Sequence, residues 1–416
     1  MRVSILITIA AAMLAAGGCK SDEPKVVTHT PDSPQLARAK DADQNANQVN
    51  ADKLDLFAAI AGPMPTGVAV SQMNRVFINF PRWGDPVEFT VGEVVEGKVV
   101  AYPTRAMNDE QHGDPSKVLV AVQSVVFDEQ NRLWCVDTAS INFGPPKPNA
   151  AKLVCFDLKN HEPVKYIRFK PDVVLPTTYL NDVRFDLKRG REGMAFITDS
   201  SQSGPNGIIV VDLATGEAWR RLHDHPSTKP EPNFAPIVEG EPLMTRIPGK
   251  PEAYIKIGSD GIAISGDRKT LFYCPLAGHH LYSVSVDALA DRNKSDQDVA
   301  ATVKDLGDRG YASDGLETGK DGSIYLTDYE HNAIHVCDAS GQNDRVLVSD
   351  PRMIWPDTMS ATGSDGYLYF TANQLNRQKN FHNGKDLRQQ PYAIFRFPIP
   401  SSGARTATAS AEPNTQ

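Results

Sequence analysis

The sequence has few of the features typical of helical or nucleic-acid-binding proteins. Across 416 residues there is no long run with the apolar periodicity of an amphipathic helix, and one helical turn is expected at 287–292. The 43 lysines and arginines are outnumbered by 51 aspartates and glutamates, and the formal net charge of -8 gives no electrostatic reason to bind nucleic acid. Nucleophile elbows, phosphate loops and CxxC motifs are absent from the sequence. None of these motifs can therefore guide a functional assignment.

Long apolar runs are also scarce, and the clearest one lies close to the start of the chain. Residues 5–16 are apolar, which is short of the ~20 residues that a membrane-spanning helix needs. Arg2 precedes this run and small residues follow it, so residues 1–18 have the organisation of a signal peptide. The sequence therefore predicts export rather than a transmembrane helix.

Cys19 directly follows the small residues 16–18. This arrangement resembles the lipobox of bacterial lipoproteins, which implies that Cys19 is acylated and becomes the mature N-terminus. Because alanine stands where leucine is usual, a plain secretory signal is the alternative. Lys20, in place of an aspartate, favours the outer membrane. We expect a location in the cell envelope or periplasm, or outside the cell, with membrane contact only through the lipid.

Polar segments flank the part of the chain that is rich in apolar residues. Residues 19–53 have no hydrophobic periodicity and predict a disordered tether, and residues 401–416, rich in Ser, Thr, Ala and Pro, predict a disordered tail. The folded body is therefore predicted at 54–400.

Four further cysteines lie inside apolar, strand-like segments of this body: Cys135, Cys155, Cys274 and Cys337. Burial as small apolar side chains explains such positions, although export would also permit disulfides. If one bridge exists, Cys135–Cys155 is the candidate, since both are expected on neighbouring strands of one unit.

The body contains a pattern that recurs at intervals of tens of residues. Each copy has a short apolar strand, a charged turn and a second apolar strand, as in 179–200 (YLNDVRFDLKRGREGMAFITDS). The copies begin at Gly67, Ser124, Tyr179, Asp260, Asp314 and Asp357. Third and fourth strands follow, and the consecutive apolar residues 208–211 indicate sheets that are buried on both faces.

Four-stranded blades packed around an axis bury both faces of every sheet. The repeat therefore predicts an all-β fold, a six-bladed β-propeller. Only one strand, at 393–399, remains after the last copy. The final blade is accordingly expected to borrow a strand from the N-terminal part of the chain, which closes the ring.

Polar residues begin the inner strands of four copies: Asn181, Asp182, Asp260, Asp314 and Asp357. In a propeller such positions point toward the axis at one level and form a ring. Facing carboxylates raise each other's pKa unless a cation neutralises them. Carboxylate and amide oxygens suit calcium or magnesium. The alternative is that Asp–Gly pairs simply form turns.

Aromatic residues near strand ends supply a second candidate feature: Trp134, Tyr311, Tyr329 and Trp355. Such rings stack on aromatic or cationic ligands when they reach a binding site. Packing between blades is the alternative for each of them.

Several segments, taken in order, resemble the major royal jelly/yellow protein family in its bacterial branch: RVFINFPRWGD (75–85), RLWCVDTA (132–139), YLNDVRFD (179–186), GIIVVDLATGEAWRRL (207–222), HPSTKPE (225–231) and SDGIAISGDRKTLFYCPLAGHHLYSV (259–284). The resemblance implies a six-bladed propeller with a ligand site at one mouth of its channel. It implies chemistry only loosely, since members include amine-binding secreted proteins and proteins linked to the conversion of melanin precursors.

SDGIAIS and SDGLETG are similar, more distantly, to strand starts of the gluconolactonase/senescence-marker propellers. That resemblance implies one divalent cation in the channel, usually calcium. Asp260 and Asp314 match two of its ligands, and Asn181 matches a position that contacts metal or substrate. The glutamate that this family places before its first inner strand has no counterpart at 65–68.

Two functions follow from these features. The first is a metal-dependent, gluconolactonase-like hydrolase, with Asp260, Asp314 and Asn181 on calcium or magnesium and Asp182 or Asp357 as the catalytic base. The second is a non-catalytic protein that binds small amines or aromatics. Its ligand contacts would be Asn181, Trp134, Tyr311 and Trp355. A protein-interaction scaffold is disfavoured, because a scaffold does not require converging carboxylates. We expect a monomer with a small-molecule ligand.

Overall fold

A computed structural model describes residues 48–399 of the protein. The predictions for residues 1–18, for Cys19, for the tail at 401–416 and for most of the tether lie outside the described residues. The described residues begin at 48 and so include the last residues of the predicted tether, ahead of the predicted start of the body at 54. Val49 pairs with Ser349, and Asn50 Nδ2 donates to the carbonyl oxygen of Leu347 at 2.8 Å. A single backbone pairing of this kind leaves no periodic signal in a polar segment.

Six four-stranded antiparallel sheets form the body. Blade 1 contains β2 (Val68–Val70), β3 (Val76–Asn79), β4 (Val91–Val95) and β5 (Lys98–Ala101). Blade 2 contains β6 (Val122–Phe127), β7 (Leu133–Asp137), β8 (Lys152–Phe156) and β9 (Pro163–Arg168). Blade 3 contains β10 (Leu180–Asp186), β11 (Met194–Asp199), β12 (Gly207–Asp212) and β13 (Ala218–Arg221).

The second half of the chain repeats the same arrangement. Blade 4 contains β18 (Ser259–Ile264), β19 (Thr270–Pro275), β20 (His280–Ser285) and β21 (Lys304–Asp308). Blade 5 contains β22 (Leu316–Thr318), β23 (Ile324–Asp328), β24 (Ala333–Cys337) and β25 (Arg345–Ser349). Blade 6 contains β26 (Pro356–Ser360), β27 (Tyr367–Ala372), β28 (Tyr392–Pro398) and the N-terminal strand β1 (Asp55–Ile60).

The ring closes through the first strand of the chain. β1 pairs antiparallel with β28, from Asp55 opposite Arg396 to Ile60 opposite Tyr392. Blade 6 therefore has the order β1-β28-β27-β26, with its innermost strand taken from the last repeat. This arrangement confirms the predicted six-bladed propeller and the predicted borrowed strand.

Apolar side chains fill the spaces between neighbouring blades. Ile209 and Val211 belong to the cluster shared with blade 2, whereas Ile208 and Val210 face blade 4. All four are fully buried, and burying a side chain of this size stabilises a fold by about 1.5–3 kcal/mol. The unbroken apolar run at 208–211 thus serves two interfaces at once, as the sequence indicated.

The cysteines belong to these same interfaces. Side chains of adjacent positions point to opposite faces of a strand. In the sheet, Cys155 lies opposite Trp134, and Cys135 lies opposite Val154. Cys135 therefore faces blade 1, whereas Cys155 faces blade 3. The considered Cys135–Cys155 bridge is therefore not formed, and all four described cysteines are buried free thiols.

Buried ion pairs fix the ends of the second strands in two blades. Lys152 Nζ contacts Asp137 Oδ2 at 2.6 Å, and both side chains are fully buried. Arg220 contacts the buried Asp199 at 2.8 Å. Each aspartate also accepts backbone N–H groups from the segment entering its blade. These carboxylates join the second strand of the blade to the loop that leads into its first strand.

Two insertions cross one mouth of the channel. Strap 1 (residues 229–258) precedes blade 4 and carries short strands, β14 (Ile237–Val238), β15 (Glu241–Pro242), β16 (Met244–Thr245) and β17 (Ala253–Tyr254). Strap 2 (residues 373–391) joins β27 to β28. They meet where the Arg246 N–H donates to the Asn380 carbonyl at 2.7 Å and where Arg377 pairs with Glu239.

Helices are short and lie outside the blades. The turn expected at 287–292 is present as the helix Val286–Ala290. Over residues 48–399, the other helical segments are Asp296–Ala300 and the 3-10 turns Ala51–Lys53, Ala106–Asn108, Pro226–Thr228, Leu375–Arg377 and Lys379–Phe381. Between residues 48 and 399, no helix has the length and apolarity needed to cross a bilayer.

Candidate functional site

The inner strands of four blades contain one extra residue at equivalent places. The register shifts lie between Val122 and Ser124 in β6, Leu180 and Val183 in β10, Ser259 and Ile262 in β18, and Pro356 and Met359 in β26. A bulge of this kind redirects a side chain. Here the bulges direct Gln123, Asn181, Asp260 and Asp357 to the channel, and Asp314, just before β22, joins them.

Threonines on the second strands hold these inner segments in place. The backbone N–H groups of Asp314 and Gly315 donate to Thr327 Oγ1 at 2.9 and 3.0 Å. Thr198 Oγ1 donates to the Asp260 carbonyl of the next blade at 2.7 Å. The carboxylate positions are therefore fixed by hydrogen bonds within and between blades.

A cavity of about 480 Å³ lies above this ring, beneath the two straps. Its polar floor is formed by Asn181, Asp260, Asp314 and Asp357. Aromatic side chains form much of its wall: Trp83, Phe143, Tyr179, Tyr254, Trp355 and Phe381. A volume in this range is typical of small-molecule sites.

Asp260 and Asp314 form the centre of the floor, and the pKa of Asp260 responds to the neighbouring Asp314 carboxyl group. Asn181 Nδ2 donates to Asp260, and Trp355 Nε1 donates to Asp314 Oδ2 at 2.7 Å. Burial raises the pKa of Asp314 to about 7. Burial and the neighbouring Asp314 carboxylate raise the pKa of Asp260 well above its usual value.

Asp357 completes the acidic floor. It accepts hydrogen bonds from Asn373 Nδ2 at 2.7 Å and from Thr358 Oγ1 at 3.0 Å. Burial, followed by the charges of Asp314 and Asp260, raises its pKa well above the usual range. Three carboxylates in one small floor therefore repel one another and favour a cationic occupant.

Asp182 does not take part in this floor, contrary to its predicted role as a base lining the channel mouth. Its carboxylate pairs with Arg184 at 2.7 Å and accepts a hydrogen bond from Ser124 Oγ at 2.6 Å. Arg184 also donates to the Leu316 carbonyl across the channel. Consecutive residues in a bulge point in different directions, and the sequence order Asn181–Asp182 does not reveal which of them faces the cavity.

Two of the predicted aromatic contacts also lie elsewhere. Trp134 is fully buried between blades, 4.9 Å from the Phe185 ring, and its Nε1 donates to Asp128 at 2.8 Å. The Tyr311 hydroxyl donates to Asp344 at 2.6 Å. Both rings pack in the body of the propeller, which is the alternative considered for them.

Trp355, the third predicted aromatic contact, lines the cavity. Its ring stacks on Tyr329 with 4.1 Å between the centroids and an interplanar angle of 10°. This stacking fixes the indole, so that its N–H remains directed at Asp314. Trp355 thus serves both the aromatic wall and the acidic floor.

The opposite wall contains residues that the sequence reasoning did not select. Trp83 Nε1 donates to the Tyr179 hydroxyl at 2.7 Å, which in turn donates to Gln123 Oε1 at 2.9 Å. The Phe143 ring stacks on Trp83 at 5.0 Å and lies 4.9 Å from Tyr179. Trp83 and Tyr179 stand within family-like motifs, but they recur in no other copy, so the repeat did not indicate them.

The floor meets the requirements of a divalent cation only in part. Asp260, Asp314 and Asn181 supply the hard oxygen donors that calcium and magnesium prefer. Among residues 48–399, however, no three His, Cys, Asp or Glu side chains are grouped closely enough to hold a metal. At Gly67 in blade 1 an added Cβ would approach Asn79 Oδ1 to 2.1 Å, so a carboxylate there would require the buried Asn79 to move. The donor chemistry fits, but one side of the ring lacks a ligand.

Comparison with known proteins supports both the fold and the family. The Protein yellow of Drosophila guanche is 26% identical over 245 residues, covering 54% of this chain and 39% of that protein. The Drosophila melanogaster protein is 24% identical over 243 residues, covering 54% and 41%. The matches span about two fifths of the length of these relatives. The solved structure of a luciferin-regenerating enzyme has a TM-score of 0.50 and 11% identity, covers 83% of this chain and 94% of that chain, and shows the fold alone.

The resemblance noted from the motifs is confirmed by a family model. The model described as major royal jelly protein matches residues 120–399. This range covers more than half of the chain and runs from the first strand of blade 2 to the end of blade 6. The chain therefore belongs to the major royal jelly protein family.

Proposed function

We propose that this protein binds a small organic molecule that carries a protonated amine and an aromatic ring. The observation that carries the proposal is the floor of three buried carboxylates beneath an aromatic wall. An ammonium group placed on this floor offsets the mutual repulsion of Asp260, Asp314 and Asp357. The faces of Trp83 and Phe143 offer stacking and cation–π contacts to the rest of the ligand.

Binding is supported by how firmly the site is held before any ligand enters. Trp355, Asn373 and Asn181 each donate to one of the three carboxylates. Side chains fixed in this way lose little conformational freedom when a ligand binds. The floor thus presents preorganised carboxyl groups, and the charge of a bound cation favours their ionised forms.

Isothermal titration calorimetry with tryptamine and indole tests the proposal. Both carry the same ring, and only tryptamine carries an amine. We expect tryptamine to bind at least 10-fold more tightly than indole, and Asp314→Asn to remove most of that preference. Asp172→Asn, an exposed acid outside the cavity, is the matched control and should leave both affinities unchanged. Equal binding of the two probes would refute the proposal.

A second candidate is a hydrolase that acts on lactone-like substrates with the help of a divalent cation. It is favoured by the hard donors Asp260, Asp314 and Asn181 at the cavity floor. A bound cation would polarise the substrate carbonyl. Asp357 would accept a proton from the attacking water, because its carboxylate faces the cavity and its pKa is raised.

Elemental analysis separates the two candidates. About one calcium or magnesium per chain, lost on combining Asp260→Ala with Asp314→Ala, would support the hydrolase and justify a screen of lactones. If calcium is supplied and no metal is retained, while tryptamine binding persists in a chelator, the binding protein is supported instead.

We also propose that the protein is held at the cell envelope by a lipid on Cys19 and acts as a monomer. The support is the signal-like composition of residues 1–18 and the small residues before the cysteine. Mass spectrometry of the N-terminal peptide should show an acylated cysteine, and Cys19→Ser should move the protein to the soluble fraction. Size-exclusion chromatography with light scattering of the released protein should give the mass of one chain.

A further inference from the structure

Positive charge lines the side of the cavity formed by strap 1. Lys250 and Lys256 both line the cavity, and both are exposed. Neither has an ion-pair partner among residues 48–399. The acid nearest in sequence to Lys250, Glu252, lies 3.6 Å from Arg246 instead. Within residues 48–399, five other lysines form ion pairs, as Lys147 does with Glu110.

The backbone that carries these lysines is anchored. The Lys250 N–H donates to the Ile247 carbonyl at 3.0 Å in a turn. After Lys256, the N–H groups of Ala277 and Leu276 donate to the carbonyls of residues 257 and 258, both at 3.0 Å. The junction with strap 2 holds the other end of this segment. The two ammonium groups are therefore carried on fixed backbone at the cavity wall.

The cavity consequently has two regions of opposite charge. The inner strands contribute three acids and no lysine or arginine to its lining, whereas strap 1 contributes two lysines and no acid. A ligand with an amine alone would satisfy the floor and would leave both lysines without an anionic partner. A ligand with an acidic group in addition to its amine would satisfy both regions.

We infer that the ligand is a zwitterion, an aromatic amino acid or a close analogue. Its amine is received by Asp260, Asp314 and Asp357, and its anionic group by Lys250 and Lys256. This inference rests on the proposed function and makes it more specific, since it assigns a role to the second charged region. The lysines then select against simple amines, which lack the group that they bind.

Isothermal titration calorimetry with three indole compounds tests the inference. The protein used is the full chain with Cys19→Ser, the variant expected in the soluble fraction. L-tryptophan carries both charges, tryptamine only the positive one, and indole-3-propionate only the negative one. We expect L-tryptophan to bind at least 10-fold more tightly than either of the others. Combining Lys250→Met with Lys256→Met should reduce tryptophan affinity to the level of tryptamine and leave tryptamine binding equal or stronger.

Lys159→Met combined with Lys188→Met is the matched control. Both are exposed lysines that lie outside the cavity, and tryptophan should keep its advantage in this variant. If tryptamine binds as tightly as tryptophan to the unmodified protein, the zwitterion is wrong and the amine proposal stands. If tryptophan keeps its advantage without Lys250 and Lys256, the assigned role of these lysines is wrong. If no compound with an amine binds, the proposed function fails, and this inference fails with it.

Discussion

Asp314→Asn should stabilise the protein while weakening its binding of cations. Asparagine has nearly the shape of aspartate, and its carbonyl oxygen still accepts the Trp355 indole N–H, now 2.7 Å from Oδ2. What the variant removes is a buried group that resists ionisation. The pKa of Asp314 is higher in the folded protein than in the unfolded chain, so ionising Asp314 lowers the stability of the fold. This loss of stability is absent below the unfolded pKa near 4. It grows as pH rises and is complete above about pH 7.

The expected stabilisation by Asp314→Asn can be worked out from the shift in the pKa of Asp314. The pKa of Asp314 rises from a usual value near 3.9 to about 7. With about 1.4 kcal/mol for each pH unit between these values, ionisation costs the fold about 4 kcal/mol at pH 8. The corresponding cost at pH 5 is about 1–2 kcal/mol. For a chain of this size, 1 kcal/mol changes the melting temperature by about 1–2 °C. We expect Asp314→Asn to raise it by roughly 5 °C at pH 8 and roughly 2 °C at pH 5.

Thermal unfolding followed by circular dichroism at the two pH values measures this difference. Asp172→Asn, which removes an exposed carboxylate, should shift the melting temperature by less than about 1 °C at both. A gain for Asp314→Asn that is equal at pH 5 and pH 8 would refute the reasoning, because an effect of packing alone does not depend on pH. A loss of stability at pH 8 would refute it as well.

Three further predictions concern the core, the floor and the closure of the ring. Lys152→Met leaves Asp137 buried and unpaired, so it should destabilise the fold by about 3–5 kcal/mol in urea titrations. Lys165 is more exposed, and Lys165→Met should cost less than about 1 kcal/mol. Equal losses of stability in the two variants would contradict this prediction. Tryptamine affinity should increase from pH 6 to pH 8, as Asp314, with its pKa raised to about 7, ionises; a flat calorimetric profile would contradict it. Removing residues 48–60 deletes β1 and should abolish cooperative unfolding, and a variant that still melts cooperatively would show that closure is dispensable.

The fold was predictable because its signal is repeated. The alternation of apolar strands and charged turns occurs in every blade, so errors at single positions cancel. The run at 208–211 indicated two buried faces, and the lone strand at 393–399 indicated that the ring borrows β1. The core clusters on both sides of 208–211 confirm the first inference, and the sheet order confirms the second. The pairing of Val49 with Ser349 could not be predicted, because a single backbone bridge leaves no periodic pattern in the sequence.

The site was predictable only where it follows the repeat. Asn181, Asp260, Asp314 and Asp357 begin equivalent strands, and all of them line the cavity. Asp182 occupies a similar place in the sequence, but its side chain pairs with Arg184. Which of two neighbours enters the channel depends on the bulge, and a bulge is a property of strand pairing rather than of composition.

The straps were the hardest part to interpret. Their residues have neither strand nor helix periodicity, because long connections pack by their own irregular contacts. Lys250, Lys256 and Phe381 reach the cavity from these segments. Nothing in the local sequence shows that 229–258 and 373–391 meet, since the contacts that join them, such as Arg246 to Asn380, link distant parts of the chain.

The departures from the repeat indicate where specificity lies. Blades 3 to 6 each contribute Asn or Asp to the floor, whereas blades 1 and 2 contribute Trp83, Gln123 and Phe143 to the wall. At Gly67 a side chain would collide with Asn79, so blade 1 leaves the ring open on the side of Trp83 and Phe143. A symmetric ring of six acids would favour a bare ion held on the axis. A half ring of acids facing aromatic rings instead favours an extended organic cation, with its charge on one side and its ring on the other. The asymmetry of the blades, rather than the propeller itself, therefore carries the functional argument.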